Sequence, residues 1–254
     1  MYFYKDLGVY MNNSKECLRS MVYPGRLIIV GRDRSGNHDI VIYAVTGRSP
    51  SSQARKIEST GDTLWVKPTD EKLLKEGNPD LLIYPAVFLN ECVAVSNGKQ
   101  TKDIKRFISQ GKNAVEVLNS SLSEWEYEPD APVFTPRISG CVFPGESAAL
   151  SIIKRGDQGE SLRFYFEVPL FPGKAKMIST YTGVNTDPLP AFEGEPLDLE
   201  LEEKNEITTA ESIYEALKPE GKDPDLRVAL ACIFCDRKKM NSHKIYLINR
   251  YERT

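Results

Sequence analysis

The sequence predicts an α+β protein in which two stacked, mainly antiparallel sheets carry helices on their outer faces. Apolar, strand-like segments come in runs, and helix-like stretches interrupt them in only two regions, so the strict βαβ alternation of a doubly wound parallel sheet is absent. The first two segments, "RLIIVG" and "HDIVIYAVTG", are joined by "RDRSGN", whose Ser-Gly-Asn supplies a turn, so Arg26 to Gly47 reads as a hairpin. With 254 residues, 41% of them hydrophobic, the chain can bury a substantial core.

After the hairpin, "TLWVKP", "LLIYPAVFL" and "CVAVSNG" add short apolar strands separated by polar residues. From Thr101 the pattern changes. Ile104, Phe107 and Ile108, then Val115, Val117 and Leu118, are spaced to suit a helix pair broken at Gly111, with Thr101 and Asn113 as caps. Strands resume at "RISGCVF", "AALSIIK", "LRFYFEV" and "KMISTY". A further helix is expected at "TTAESIYEALK", opened by Thr208 or Thr209, and two last strands at "LRVALACIF" and "KIYLINR". The acidic run "FEGEPLDLELEEKNE", Phe192 to Glu206, reads as an exposed connection within a single domain spanning residues 1–254. No internal repeat is evident.

A net charge of −3, with both signs spread along the chain, argues against a nucleic-acid binder, which usually carries a basic face. A small partner fits better. No apolar run approaches the roughly 20 residues that span a bilayer, and the first twenty residues lack a secretory pattern, so no membrane partner is expected and a cytoplasmic location is. The five cysteines lie mostly inside apolar segments and are an odd number, which favours reduced packing thiols over a disulfide framework.

Chemistry-bearing motifs are few. His38 and His243 are the only histidines, and the single CxxC, Cys232 to Cys235, would point its thiols to opposite faces of a strand, so no metal site is expected. Neither "GRDRSGNHD" nor "GRSPSSQAR" is a P-loop, and no Rossmann fingerprint occurs. What remains is a set of polar residues at the ends of apolar strands, where ligands often meet scaffolded loops. It comprises Arg48, Ser49 and Arg55; Tyr84; Ser96, Asn97 and Gly98; Glu126 to Asp130; Thr135 to Ile138; and Ser179 to Tyr181. The arginine loop "YAVTGRSPSSQAR" fits either a solvated turn or one wall of an anion site, because guanidinium forks and hydroxyls hold phosphates.

Taken in order, "YPGRLIIVGR", "YAVTGRS…AR", "VAVSNGKQT", "YEPDAPVFTPRI" and "ISTY" resemble the archaeal-type IMP cyclohydrolase family over Tyr23 to Tyr181. The resemblance implies a four-layer αββα sandwich of the N-terminal-nucleophile-hydrolase type, used without that nucleophile. The chain opens Met1-Tyr2, and the nearest thiol, Cys17, lies in a helix-like segment. The implied reaction closes 5-formamidoimidazole-4-carboxamide ribonucleotide to IMP and water. The implied partner is therefore a purine ribonucleotide, with no cofactor, and with room for a homo-oligomer.

By motif position the family's catalytic arginine, glutamate and tyrosine fall on Arg55, Glu128 and Tyr84. Arg48, Ser49, Asn97, Gly98, Arg137 and Tyr181 are the candidates for binding substrate, all but Tyr181 for its 5′-phosphate. The chain departs from the family pattern in residues 1–22, an N-terminal extension before "YPGR", and in a longer arginine loop, across which Arg48 and Arg55 can exchange roles. The tyrosine also lacks its usual following Asn. Two other functions compete: a nucleotide-binding paralogue that has lost the reaction, and an amide hydrolase using Cys17 exposed by processing.

Overall fold

The computed structural model describes residues 14–70, 83–111, 113–219, 221–239 and 241–253. The expected hairpin is formed by Arg26–Arg32 (β1) and His38–Thr46 (β2), paired antiparallel from Arg26↔Val45 to Arg32↔Asp39. Both strands are apolar almost throughout because both of their faces are covered. Ile28, Val30, Val41, Tyr43 and Val45 point to one side, and Leu27, Ile29, Ile40, Ile42 and Ala44 to the other.

Five further strands precede the next polar link: Arg55–Thr60 (β3), Thr63–Pro68 (β4), Tyr84–Leu89 (β5), Val93–Ser96 (β6) and, after a helical pair, Arg137–Phe143 (β7). Ser147–Arg155 (β8) and Ser161–Glu167 (β9) complete a seven-stranded sheet in the order β3-β4-β5-β6-β7-β8-β9. Lys174–Ser179 (β10), Leu197–Glu200 (β11), Arg227–Asp236 (β12) and His243–Asn249 (β13) join the hairpin in a six-stranded sheet, β11-β10-β1-β2-β12-β13. Every strand pair in the two sheets is antiparallel.

Three apolar layers result. A seam between the sheets joins Ile28, Val41 and Ile233 to Ile57, Val87, Val95 and Leu150. On the outer face of the six-stranded sheet lie Ser14–Arg19 (α1) and a later helix, Glu206–Ala216, whose Ala210 and Ile213 pack with Leu18, Ile42 and Cys232. Thr101–Phe107 and Ala114–Leu122 cover the other sheet through Ile104, Val117, Leu118 and Leu122. With the one-turn helix Pro50–Gln53 as α2, these three are α5, α3 and α4. The predicted αββα layering is present. Cys232 faces α5 and Cys235 faces the seam, as their spacing requires.

Several boundaries differ from expectation. The acidic connection contains β11, paired with β10 from Lys174↔Glu200 to Met177↔Leu197. Its Leu-Asp-Leu-Glu-Leu alternation is that of a half-buried edge strand, with Leu199 and Leu201 inside and the acids outside. Thr208 and Thr209 do not open α5. Asn205 does, accepting the Thr208 N–H at 2.9 Å. Asn113 caps α4 as expected, but Thr101 lies inside α3, its hydroxyl 2.5 Å from that of Ser96. Leu81 and Leu82 of the expected strand at "LLIYPAVFL", and residues 1–13 of the extension, lie outside the described residues.

The outer edge of β3 is closed by Asn249 at the end of β13. Its Oδ1 accepts the Ile57 N–H at 2.8 Å and its Nδ2 donates to the Ile57 carbonyl at 3.1 Å, so one amide satisfies both outward groups of Ile57 at mid-strand and ties the two sheets. Truncating it strands two buried backbone groups. Asn249→Ala is expected to lower unfolding stability by about 2 kcal/mol, read as a lower denaturant midpoint at unchanged slope.

Candidate active site

The two sheets bring the ends of many strands to one end of the sandwich. In the six-stranded sheet, Arg26 starts β1 opposite Val45, Leu27 is opposite Ser179 at the end of β10, and Arg227 is opposite Thr46. In the other, Arg55 starts β3, Tyr84 starts β5, and Ser96 meets Ser139 where β6 ends and β7 begins. Here the aliphatic seam gives way to phenols and charge.

Arg26 is fixed through its backbone. Its N–H donates to Thr180 Oγ1 at 3.1 Å and its carbonyl accepts from the Thr180 N–H at 2.9 Å. Gly25 permits this approach: its φ is +74°, and a Cβ there would lie 2.1 Å from Thr180 Oγ1 and 2.7 Å from the Tyr181 ring. The Arg26 guanidinium is buried and its Nε has no hydrogen-bond partner. Tyr43, on β2, reaches across the seam to Tyr84 on β5, their hydroxyls 2.8 Å apart. Tyr181 stacks on Tyr23 at 5.6 Å between centroids, and its hydroxyl lies 2.9 Å from that of Thr135.

The seven-stranded sheet supplies the remainder. Pro50–Gln53 is capped by Ser49, whose hydroxyl accepts the Ser52 N–H, and this turn delivers Arg55 into the interior at 3% exposure, its Nε donating to the Ser52 carbonyl at 2.9 Å. Glu128 is 2% exposed, whereas Glu124 and Glu126 face solvent. Its N–H donates to the Thr135 carbonyl, and Thr135 is held by Asp130 through both its N–H and its hydroxyl, so the segment closes on itself. Arg137 Nη1 sits 3.4 Å from Glu128 Oε1 and 3.3 Å from Gln100 Oε1. Gly98 lines this corner, where a Cβ would lie 2.9 Å from Arg137 Nη1.

The electrostatics are lopsided. Arg26 and Arg55 have no carboxylate within ion-pair distance among the described residues, and the nearest acid of the cluster, Glu128, is already paired with Arg137. Burial pushes the Glu128 carboxyl above its ordinary range, against the pull of Arg26, Arg137 and Arg55. Burial also opposes the charge on Arg26, yet Tyr84, Glu128, Tyr43 and Tyr181 hold its guanidinium well above the usual value. Arg55 is lowered by burial and then by Arg26. Tyr43 is raised well above a normal phenol by burial and by Tyr84. Buried positive charge without a protein counter-ion is costly, and an anion relieves it.

The family model described as IMP cyclohydrolase-like protein matches residues 23–239. The chain belongs to the IMP cyclohydrolase-like family. It is 30% identical over 183 residues to an IMP cyclohydrolase of Methanopyrus kandleri, covering 68% of this chain and 90% of the relative. It is 33% identical over 170 residues to an IMP cyclohydrolase of Methanothrix thermoacetophila, covering 66% of this chain and 78% of the relative.

In this family member Arg55, Tyr84, Glu128, Arg137 and Tyr181 converge on one buried cluster. Arg48 stands at its exposed rim, 5.8 Å over the Tyr23 ring, and donates to the Thr186 carbonyl. Ser49 and Asn97 are occupied internally: Asn97 Oδ1 accepts from the Ile138 N–H and from Gln100, and its Nδ2 donates to the Pro136 carbonyl. Cys17 is on α1, packed on the far face of the six-stranded sheet, with its thiol raised by burial, so the Cys17 hydrolase reading has no geometry to support it. Among the described residues no three His, Cys, Asp or Glu side chains gather as a metal site, and no helix is long and apolar enough to cross a membrane.

Arg26 and Tyr43 escaped the sequence reading because Arg26 merely opens the apolar run "RLIIVG" and Tyr43 sits inside "IVIYAV". The available signal was an arginine at a strand start, directly after a glycine. The raised Glu128 carboxyl has a thermodynamic consequence. Its folded state holds the proton more tightly than the unfolded chain, so its contribution to stability is full below the ordinary carboxylate range and lost as pH rises through the folded value. Glu128→Gln, which cannot ionise, is expected to gain stability relative to the parent protein as pH rises through that window, measured by denaturant unfolding at a series of pH values.

Proposed function

We propose that the chain acts as an IMP cyclohydrolase, closing 5-formamidoimidazole-4-carboxamide ribonucleotide to IMP and water within a single domain of residues 1–254, the first 22 an extension. The observation that carries this reading is the pair of buried guanidiniums with no carboxylate at ion-pair distance among the described residues, close to a buried glutamate whose carboxyl is raised by burial. Both reacting groups sit on one imidazole of the substrate, so proximity is largely built in and the protein must fix the formamide rotamer and manage protons.

The carboxamide nitrogen attacks the formyl carbon, forming the new C–N bond and leaving an oxyanion. Arg55, with Arg26 behind it, stabilises that charge in a water-poor setting. Glu128 takes a proton from the carboxamide nitrogen and returns it to the oxyanion, giving a hydroxyl; the formamido N–H then loses its proton as the C=N bond forms, and that proton, carried by the same carboxyl, goes to the hydroxyl, which leaves as water. A raised carboxyl suits this cycle, since a proton carrier works best with its pKa near the operating pH. Tyr84, hydrogen-bonded to Tyr43, offers a neutral donor to the substrate oxygen. Arg48 at the rim, Gly98 and Arg137 are assigned to the phosphate end, with Tyr181 against the base or ribose. Ser49 and Asn97 serve that end by holding its loops.

Glu128→Gln is nearly isosteric but cannot cycle a proton. It is expected to bind IMP almost normally while ring closure, followed by absorbance, falls by about 10²–10⁴-fold. In the parent protein the rate should rise with pH through an acid limb lying above the ordinary carboxylate range, and the variant should lack that limb. Full turnover by folded Glu128→Gln protein removes Glu128 from the reaction.

Arg55→Lys keeps charge but loses the planar fork, so kcat should fall by more than IMP affinity; Arg48→Lys should weaken affinity and spare kcat. The reverse pattern would exchange the two assignments.

A further inference from the structure

The two sheets have four edges, and three are blunted. β3 is closed by Asn249, β11 is four residues long and carries Asp198 and Glu200, and β13 opens with His243 and Lys244. β9 is different. It is seven residues, "SLRFYFE", paired to β8 in unbroken register from Ala149↔Glu167 to Arg155↔Ser161, with no proline and no bulge. A regular, apolar edge of this kind is a template for pairing with another strand.

The free groups on it can be identified. The Val168 N–H donates to the Ala148 carbonyl, so the even-numbered residues of β9 bond inward to β8 and the odd-numbered ones turn their N–H and C=O outward. Among the described residues, no hydrogen bond engages the outward backbone groups of Arg163, Tyr165 and Glu167. One face of the strand presents Leu162 at 36% and Phe164 at 41% exposure, and Phe164 is stacked on Phe166 with ring planes 8° apart. On the other face Arg163 is anchored to the Trp125 carbonyl at 2.6 Å and Glu167 is exposed.

We propose that β9 is a dimerisation edge, and that its occupant is β9 of a second copy of this chain, paired antiparallel about a two-fold axis at Tyr165. The strand is self-complementary in that register. Arg163 stands opposite Glu167 of the second copy, twice over, while Phe164 stands opposite Phe166 on the other face and Tyr165 opposite itself. The outward groups of residues 163, 165 and 167 then form about six backbone hydrogen bonds, and the two seven-stranded sheets become one continuous sheet. Centring on Phe164 instead would set Glu167 against Ser161 and leave the charges unmatched, which favours the Tyr165 register. The edge lies beyond the catalytic cluster's residues, so the assembly does not depend on the proposed reaction.

Sedimentation equilibrium of the full chain is expected to give twice the chain mass at tens of micromolar, and Phe164→Lys to give the single-chain mass with ring closure retained. Glu167→Lys, a surface change, should weaken dimerisation by about tenfold or more, which keeps the test open if Phe164→Lys fails to fold. Tyr165→Cys should form a disulfide-linked dimer on mild oxidation that the parent protein does not. A monomeric parent, a dimer indifferent to both charge insertions, or a dimer in which Tyr165→Cys does not cross-link would each overturn the proposal.

Discussion

The aliphatic seam between the two sheets is the constraint on which the molecule rests. Ile28, Val41 and Ile233 on one side and Ile57, Val87 and Leu150 on the other exclude water over the length of the sandwich. Because that seam fixes how the sheets lie, it also fixes which strand ends meet where it stops. The buried polar cluster is the termination of an apolar interface. Tyr43 and Tyr84 mark the changeover: their rings belong to the seam, while their hydroxyls, 2.8 Å apart, belong to the site.

Charge on Arg55 and Glu128 at that end is held against desolvation. Two guanidiniums enter a low-dielectric setting with no carboxylate at ion-pair distance among the described residues, and Glu128 is buried deeply enough for desolvation to outweigh three arginines. Such an arrangement persists only when the surrounding backbone holds it, which is the task of Gly25, Thr180, Ser49 and Asn97. Ser49 and Asn97 thus spend their polar groups on the loops that carry the cluster.

Much of the architecture was legible because strands buried on both faces read as unbroken apolar runs, as in "LIIV" and "IVIYAV", and helices show their period, as at Val117 and Leu118. What escaped was amphipathic and short. β3, "RKIEST", and β11, "LDLE", carry charges on their solvent face and look like connections, although their alternation is there to be found. The cap of α5 was displaced to Asn205 because an amide side chain outcompetes the threonines that follow it. At the site, the residues lying in recognisable loops, Arg55, Glu128 and Arg137, could be named, while Arg26 and Tyr43 could not. Their convergence with the others is a property of strand register across two sheets, which local sequence does not encode.

The division of the cluster between the sheets gives the molecule a further property. Arg26, Tyr43 and Tyr181 ride on one layer, and Arg55, Tyr84, Glu128 and Arg137 on the other. The cluster is therefore a gauge of layer alignment: any slippage of one sheet over the other moves half of the constellation as a block. Volume lost in the aliphatic interior, at seam positions such as Ile233 or Leu150, is then read out as misregistration where the layers end.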